Sequence, residues 1–126
     1  MLLSICIPNF NRSNCLSNCL NSIYISKKNS NLLFEVCISD NGSEDNVEKV
    51  IENYSKDLDI KFKKNHKNSG LGKNILNVVS MAQGDYVWLL GNDDLILPNT
   101  LKKIEKLINE NKGIDFFFIN SFNLSS

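Results

Sequence analysis

The sequence has no excess of charge of either sign and no long apolar run. Fourteen basic residues balance fourteen acidic ones over 126 residues, so the chain lacks the positive field that draws proteins to nucleic acid or anionic lipid. The sequence has no run of about eighteen apolar residues, so it predicts no transmembrane segment. The first residues lack a basic region and reach Pro8 early, which argues against a signal peptide. We expect a cytoplasmic protein, or one peripheral to the inner face of the membrane, without a nucleic-acid partner.

Residues that bind metals or form disulfides are scarce as well. The sequence has four cysteines and a single histidine, His66. Cys15 and Cys19 lie one helical turn apart, a spacing that could hold a metal ion, but no second ligand pair follows. We therefore interpret the cysteines as thiols packed in the core rather than as a zinc site or disulfide framework.

Apolar periodicity predicts five strands that alternate with four helices. The strands are expected at 2–7, 32–39, 60–64, 85–90 and 114–119. Apolar residues at helical spacing predict four helices. The first begins near residue 14, the second after Asp45 as its expected cap, the third at Asn74 and the fourth at Pro98. Gly84 is expected as a left-handed cap at the end of the third helix. This alternation predicts an α/β fold with a mostly parallel, Rossmann-like sheet and helices on both faces. No repeat or linker divides the chain, so we treat 1–126 as one domain.

Polar residues gather in loops at one edge of this predicted sheet, at 9–12, 40–43, 68–74 and 91–94. Open parallel sheets bind ligands at this edge, outside the carboxyl ends of the strands, where the strand order reverses. The first loop lacks the G-x-G-x-x-G pattern of dinucleotide folds. Lys73 is followed by Asn74 and not by the Ser or Thr of a P-loop.

Asp93 and Asp94 form the pair with the most evident chemistry. Adjacent carboxylates repel one another, and Mg²⁺ or Mn²⁺ relieves that repulsion by binding one or two carboxylates together with phosphate oxygens of a substrate. A helix-capping or solvated turn is the alternative, and the residues alone leave both open. Asp40 could likewise bond its own turn or accept hydrogen bonds from a base or ribose. Arg12, the only arginine, could pair with phosphate or with a carboxylate.

Three segments of the sequence have the pattern of known family signatures. Residues 4–12 read S-I-C-I-P-N-F-N-R, which is similar to S-[IV]-x-[IV]-P-T-[YF]-N-R. Residues 35–45 read E-V-C-I-S-D-N-G-S-E-D, which is similar to E-[IV]-x-[IV]-x-D-[DN]-G-S-x-D. Residues 84–94 read G-D-Y-V-W-L-L-G-N-D-D, which resembles the L-L-G-D-D-D motif of a bacterial surface-polysaccharide subgroup. The chain thus resembles the family 2 glycosyltransferases, whose signatures these are. The three segments occur in the family's order and span most of the chain.

The resemblance implies a glycosyltransferase-A fold and an inverting transfer from a nucleoside diphosphate sugar to a glycan or lipid-linked acceptor in surface polysaccharide synthesis. It implies a Mn²⁺ or Mg²⁺ ion bound by Asp93, with Asp94 as the second carboxylate. Asn92 replaces the first aspartate of the subgroup motif, which implies either weaker metal binding or binding through its amide oxygen. The donor-binding residues implied are Pro8, Phe10, Arg12, Asp40, Asn68, Asn74, Asn92 and Asp93.

The family's catalytic base follows the region that these signatures cover. We therefore expect the base downstream of Ser126, and expect 1–126 to be the nucleotide-sugar-binding part of a truncated domain whose acceptor-binding part is absent. Two other functions stay open. One is a catalytically inactive nucleotide-binding or interaction module on the same scaffold. The other is a nucleotidyltransferase, whose fold also places carboxylates beside a nucleoside triphosphate.

Overall fold

A computed structural model describes residues 2–115, 117 and 119, in which strands and helices alternate along the chain. None of the helices in this part of the chain combines the length and apolar character needed to cross a bilayer. The elements are β1 (Leu2–Asn9), α1 (Ser13–Lys27), β2 (Leu33–Asp40), α2 (Val47–Tyr54), β3 (Ile60–Lys64), α3 (Leu71–Ser80), β4 (Tyr86–Leu89) and α4 (Thr100–Glu110).

The four described strands form one parallel sheet in the order β3-β2-β1-β4. Strand β1 pairs along its length with β2, so that Asn9 and Asp40 end side by side. The chain moves outward from β1 through β2 to β3, and then crosses back to pair β4 with the other side of β1. The strand order therefore reverses between β1 and β4, and the predicted parallel α/β fold is confirmed.

Helices cover both faces of this sheet, as predicted. Because side chains alternate along a strand, Ile5 and Ile7 of β1 pack on one face with α1, α2 and α4, whereas Cys6 packs on the other face with α3. Cys6, Cys19 and Cys37 are buried, as their interpretation as thiols packed in the core predicts, whereas Cys15 is only half-buried; all four cysteines are free. The larger core contains Leu16, Leu20, Ile23, Val36, Ile38, Val47, Leu101 and Ile104.

A buried polar network joins the amino ends of the strands, at the edge opposite the polar loops. The Glu35 side chain is only 2% exposed. Its Oε1 accepts hydrogen bonds from Ser4 Oγ and from the backbone nitrogen of Gln83, both at 2.7 Å, and its Oε2 accepts one from Lys61 Nζ. Burial alone would raise the pKa of Glu35, but the hydrogen bonds from Lys61, Gln83 and Ser4 outweigh it and lower the pKa to about 2. The network therefore holds a charged carboxylate inside the fold.

Gly84 is not the left-handed helix cap that the sequence predicts, because its φ lies outside the positive region in which Gly42, Gly70 and Gly113 are found. A Cβ at Gly84 would stand 2.6 Å from Ser4 Oγ and 2.8 Å from the backbone oxygen of Leu2. Glycine is needed there because the chain passes close to β1.

Asp45 also differs from its predicted role. The N-cap of α2 is Asn46, which makes no side-chain capping bond. Asp45 Oδ2 instead accepts a hydrogen bond of 2.9 Å from the backbone nitrogen of Ser13, the first residue of α1. The first N–H groups of a helix lack partners within it, and here a loop of the next βα unit supplies one. The helices expected to begin at Asn74 and Pro98 begin instead at Leu71 and Thr100.

The fifth strand predicted at 114–119 is not found in the described part of that stretch. Residues 114, 115, 117 and 119 have no strand pairing, and residues 116 and 118 lie outside the described residues. The ring of Phe117 packs against Tyr86 of β4 with centroids 5.6 Å apart. A short apolar run is compatible with side-chain packing as well as with strand pairing. In the described part of 114–119, the observed contribution is the packing of Phe117 on β4.

Candidate functional site

The loops after all four strands meet at the carboxyl edge of the sheet, beside the reversal of strand order between β1 and β4. Backbone hydrogen bonds extend the sheet into these loops, from Asn41 to the Asn9 oxygen at 2.8 Å and from Leu90 to the Cys6 oxygen at 2.9 Å. This edge is where open parallel sheets bind ligands. The predicted site residues all lie on these loops, at the strand ends or in the first turn of α3.

Asp40, the last residue of β2, is completely buried. Its Oδ2 accepts a hydrogen bond from the backbone nitrogen of Ser43 at 2.8 Å, and its Oδ1 accepts bonds from the Ser43 hydroxyl at 2.5 Å and from Asn9 Nδ2 at 2.8 Å. Three charge-assisted hydrogen bonds compensate for the burial of a carboxylate. Asp40 thus bonds its own turn, and its contact with a base stays a prediction.

A chain of amides connects Asp40 to the loop after β4. Asn9 Oδ1 accepts a hydrogen bond of 2.8 Å from Asn92 Nδ2, while Asn9 Nδ2 faces Asp40. Asn9 is 1% exposed and Asn92 is half-buried. The two side chains link the end of β1 to the loop after β4. The sequence alone did not predict that Asn9 links Asp40 to Asn92. The one indication in the sequence was that Asn9 is a polar residue at the end of an apolar strand.

The loop after β1 has a backbone conformation that is uncommon for residues other than glycine. Asn11 and Arg12 have φ values of 53° and 56°, in the left-handed region. Asn11 donates its N–H to Ser43 Oγ at 2.6 Å and accepts a bond from the Glu44 backbone at 3.0 Å. These bonds fix the loop and present the Arg12 side chain, which is 65% exposed, with Nη1 3.6 Å from Asp93 Oδ2.

One carboxylate oxygen of Asp93 and one of Asp94 lie close to Gly91. A Cβ at Gly91 would stand 2.8 Å from Asp94 Oδ2 and 3.1 Å from Asp93 Oδ1, so glycine leaves room for both. Asp94 Oδ2 also accepts a hydrogen bond of 3.0 Å from the Gly91 nitrogen, as the solvated-turn alternative predicts. Both aspartates are exposed. Exposed carboxylate oxygens are the ligands that Mg²⁺ and Mn²⁺ prefer, so these residues fit a divalent ion.

Cys19 contacts this loop from the core. Burial, together with the negative charges of Asp94 and Asp93, raises the pKa of Cys19 to about 12. The thiol donates a weak hydrogen bond to the Gly91 oxygen at 3.8 Å. Within the described residues, no group of three or more His, Cys, Asp or Glu side chains is placed to hold a metal, so two carboxylates are the ionic donors at this loop.

Asn41 holds the loop after β3 against the loop after β2. It is 2% exposed, and its Nδ2 donates to Asn68 Oδ1 at 2.7 Å and to the Gly70 oxygen at 3.2 Å. Asn41 Oδ1 accepts from the Ser69 backbone at 3.1 Å. Asn68 therefore lies at the site edge, with its oxygen already bonded inside the loop.

Asn74, in the first turn of α3, is buried below the site. Its Nδ2 donates to the backbone oxygens of Asn9 at 3.3 Å and Ser39 at 3.0 Å, which ties α3 to the ends of β1 and β2. Its Oδ1 is buried without a partner among the described residues. Pro8 is half-buried, and Phe10 is 41% exposed. The structure thus brings Phe10, Arg12, Asn92 and Asp93 to the solvent side and leaves Asp40 and Asn74 beneath.

A cavity of about 290 Å³ lies away from this edge, between β4, α4 and the end of the described chain. Its lining is largely apolar and includes Tyr86, Trp88, Ile104, Leu107 and Phe117. The polar loops do not line it, so it is separate from the candidate site.

Comparison with known proteins identifies similar sequences over nearly the whole chain. The family model described as Glycosyl transferase family 2 matches residues 4–124. Abequosyltransferase RfbV of Salmonella typhimurium is 39% identical over 118 residues, which cover 90% of this chain and 34% of that protein.

Solved structures share the fold. The poly(ribitol-phosphate) beta-N-acetylglucosaminyltransferase TarS of Staphylococcus aureus, in complex with UDP-GlcNAc, matches with a TM-score of 0.77 and 29% identity over 87% of this chain and 32% of that chain. The mannosyltransferase PcManGT of Pyrobaculum calidifontis, in complex with GDP-Man and Mn²⁺, has the same fold with a TM-score of 0.68 and 20% identity over 85% of this chain and 32% of that chain. The chain spans about a third of the length of these relatives.

Proposed function

Because the chain belongs to glycosyl transferase family 2, we propose that it forms the donor and metal site of a glycosyltransferase. The whole enzyme transfers a sugar from a nucleoside diphosphate sugar to a glycan or lipid-linked acceptor in surface polysaccharide synthesis, with inversion. The observation that carries this proposal is the meeting of Arg12 and Asp93, 3.6 Å apart, at the reversal of strand order. A cation for phosphate and a carboxylate for a divalent ion stand together there.

The proposed donor site has an exposed layer and a buried layer. Arg12 binds the diphosphate through its guanidinium, whose planar donors match phosphate oxygens, and Phe10 packs against the base or ribose. Arg12 and Asp93 form an exposed ion pair, which contributes little to stability, so the guanidinium can exchange its partner for phosphate. The full donor-binding set is Pro8, Phe10, Arg12, Asp40, Asn68, Asn74, Asn92 and Asp93.

Asp93 and Asp94 would hold Mn²⁺ or Mg²⁺ beside the diphosphate. When bound, the ion acts as a Lewis acid that stabilises charge on the departing nucleoside diphosphate. Support comes from the exposure of both carboxylates and from the position of an oxygen of each close to Gly91. We assign no catalytic base to residues 1–126. We assign the enzyme to the cytoplasm, and, if its acceptor is lipid-linked, to the inner face of the membrane as a peripheral protein.

Calorimetric titration with UDP, GDP, CDP and dTDP, each with Mn²⁺ or with EDTA, tests the proposed donor site. We expect at least one nucleoside diphosphate to bind with a dissociation constant below about 1 mM. We expect tighter binding in Mn²⁺ than in EDTA, and we call the ratio of the two dissociation constants the manganese gain. Failure of all four nucleotides to bind at that level would overturn the proposal.

The variant Asp93→Asn assigns the ion to its site. It should lower the manganese gain by about tenfold or more, since a carboxylate ligand is lost, and the exposed Asp57→Asn provides the matched charge control.

Tighter binding of the nucleoside triphosphates than of the diphosphates would instead favour a nucleotidyltransferase.

A further inference from the structure

One hydrogen bond determines which end of the Asn92 amide faces away from the core. Asn92 Nδ2 donates to Asn9 Oδ1 at 2.8 Å. The nitrogen of Asn92 is therefore directed at Asn9, and its oxygen is left for another partner. An amide carries two donors at one end and an acceptor at the other, so this orientation decides whether the loop after β4 offers a ligand oxygen or an N–H group.

The orientation of Asn9 is set in turn by Asp40. An aspartate carboxylate accepts hydrogen bonds and donates none, so Asn9 must present Nδ2 to Asp40 Oδ1, which it does at 2.8 Å. The Ser43 hydroxyl accepts the Asn11 N–H and must give its own proton to the same Asp40 oxygen. Both donors are thereby fixed by a carboxylate that is not exposed at all.

We propose that Asp40 is a positioning residue that acts through Asn9 to turn the oxygen of Asn92, and not its nitrogen, toward the divalent ion beside Asp93 and Asp94. The proposal rests on the proposed function for the identity of the ion. It explains how an asparagine can serve at the start of this acidic loop, because a buried charge two side chains away keeps its amide in the ligand orientation.

Replacing Asp40 by asparagine should reverse the chain of amides. The backbone N–H of Ser43 cannot turn, whereas the Ser43 hydroxyl can rotate its proton away from Asp40 Oδ1. The introduced amide must therefore keep its oxygen toward the Ser43 backbone and direct its NH₂ at Asn9. The Asn9 amide then flips to accept this bond, and Asn92 flips to accept from Asn9. The NH₂ of Asn92 would face the ion, where an N–H group cannot be a ligand.

The variants Asp40→Asn and Asn92→Asp, alone and combined, test this coupling through the manganese gain for UDP, or for whichever of the four nucleotides binds. Asp40→Asn alone should lower the gain about 10- to 100-fold, the usual effect of losing a group that orients a metal ligand. The double variant should return to within about threefold of the wild type, since a carboxylate at position 92 can accept from the flipped Asn9 and still offer an oxygen. Asn92→Asp alone should not exceed the wild type, because its carboxylate would meet Asn9 Oδ1.

A matched control is Asn53→Asp, which adds the same charge at an exposed position of α2 and should leave the gain unchanged in both backgrounds. Rescue in the double variant supports the proposal. If the double variant is no better than Asp40→Asn alone, the proposal is overturned while nucleotide binding by the wild type still upholds the donor site. A purely structural role for Asp40 predicts no rescue by a substitution at position 92.

Nuclear magnetic resonance on the wild-type chain decides the matter if Asp40→Asn does not fold or if no nucleotide binds. One side-chain NH₂ proton of Asn92 should exchange with water at least about tenfold more slowly than those of the exposed Asn53, because it is hydrogen-bonded to Asn9 Oδ1. Equal exchange rates at the two positions would overturn the proposed orientation.

Discussion

At the level of single residues, the loop after β1 combines an unfavourable backbone with a useful side-chain position. Asn11 and Arg12 both adopt left-handed φ values, which cost about 1–3 kcal/mol each in residues other than glycine unless local hydrogen bonds compensate. The bond that Asn11 donates to Ser43 and the bond that it accepts from Glu44 provide that compensation. They turn the chain so that Arg12 projects across the reversal of strand order toward Asp93.

Arg12→Met should weaken binding of the nucleoside diphosphate and leave binding of the nucleoside unchanged. The methionine keeps the stem and removes the guanidinium, which should cost about tenfold or more in affinity for UDP, the size of one charge-assisted hydrogen bond. Calorimetry with UDP and with uridine measures both. Lys102→Met removes the same charge from an exposed position on α4 and serves as control. Equal losses for UDP and uridine would contradict a phosphate contact by Arg12.

At the level of elements, the loops of neighbouring βα units support one another. The loop between β2 and α2 holds the loop after β1 through Ser43, caps α1 through Asp45 and anchors the loop after β3 through Asn41. Gly42 allows this contact, because a Cβ there would stand 3.1 Å from the Lys67 backbone. The carboxyl edge is therefore organised around the loop after β2, which joins two neighbouring loops and the start of α1.

Asp45→Ala should destabilise the protein through α1 rather than through α2. Loss of a capping carboxylate from a helix N-terminus costs about 0.5–2 kcal/mol. Denaturant unfolding of the variant gives the change in the free energy of unfolding. The neighbouring Glu44 is exposed, so Glu44→Ala removes the same charge without the cap. If the two variants lose the same stability, Asp45 is not acting as the cap of α1.

At the level of the whole molecule, the two edges of the sheet are specialised. The amino edge is joined by the network of Ser4, Glu35, Lys61 and Gln83, which connects β1, β2, β3 and the segment before β4. The carboxyl edge carries the candidate site, with Asp40 as its buried carboxylate. A buried carboxylate with hydrogen-bond donors from other elements thus lies at each edge, Glu35 at the amino edge and Asp40 at the carboxyl edge. Asp40 is connected through Asn9 to Asn92 in the loop after β4, which carries the exposed aspartates.

The amino-edge network should make stability depend on acid. Glu35 has a pKa of about 2 in the fold, against an ordinary value of 4.5, so its contribution is fully present above about pH 4.5 and is lost as the pH falls toward 2. The shift corresponds to about 3 kcal/mol. The variant Glu35→Gln should be less stable at neutral pH and should lose less stability between pH 5 and pH 2, measured by denaturant unfolding.

The exposed Glu52→Gln on α2 is the control for this pH dependence and should follow the wild type. If Glu35→Gln loses stability with acid as steeply as the wild type, the network does not carry the dependence.

The sequence by itself determined the order of strands and helices from β1 to α4, the parallel sheet and the family, whereas the fifth strand predicted at 114–119 is not found among the described residues. These depend on local information: apolar periods of two and of 3.6 residues, and contiguous signatures such as the one at 35–45. It also located Arg12 and Asp93 on the edge where they are found, because residues that follow parallel strands must share an edge.

Only the tertiary structure decided which polar groups bond to which. Asn9 lies 31 residues from Asp40 and 83 residues from Asn92, so no local pattern contains their connection. Asp45 could not be assigned to α1 from its position before α2, nor Gly84 to a close approach from its position after α3. A capping oxygen or a missing Cβ is used by whatever the fold brings near it, and that proximity exists only once the sheet has formed.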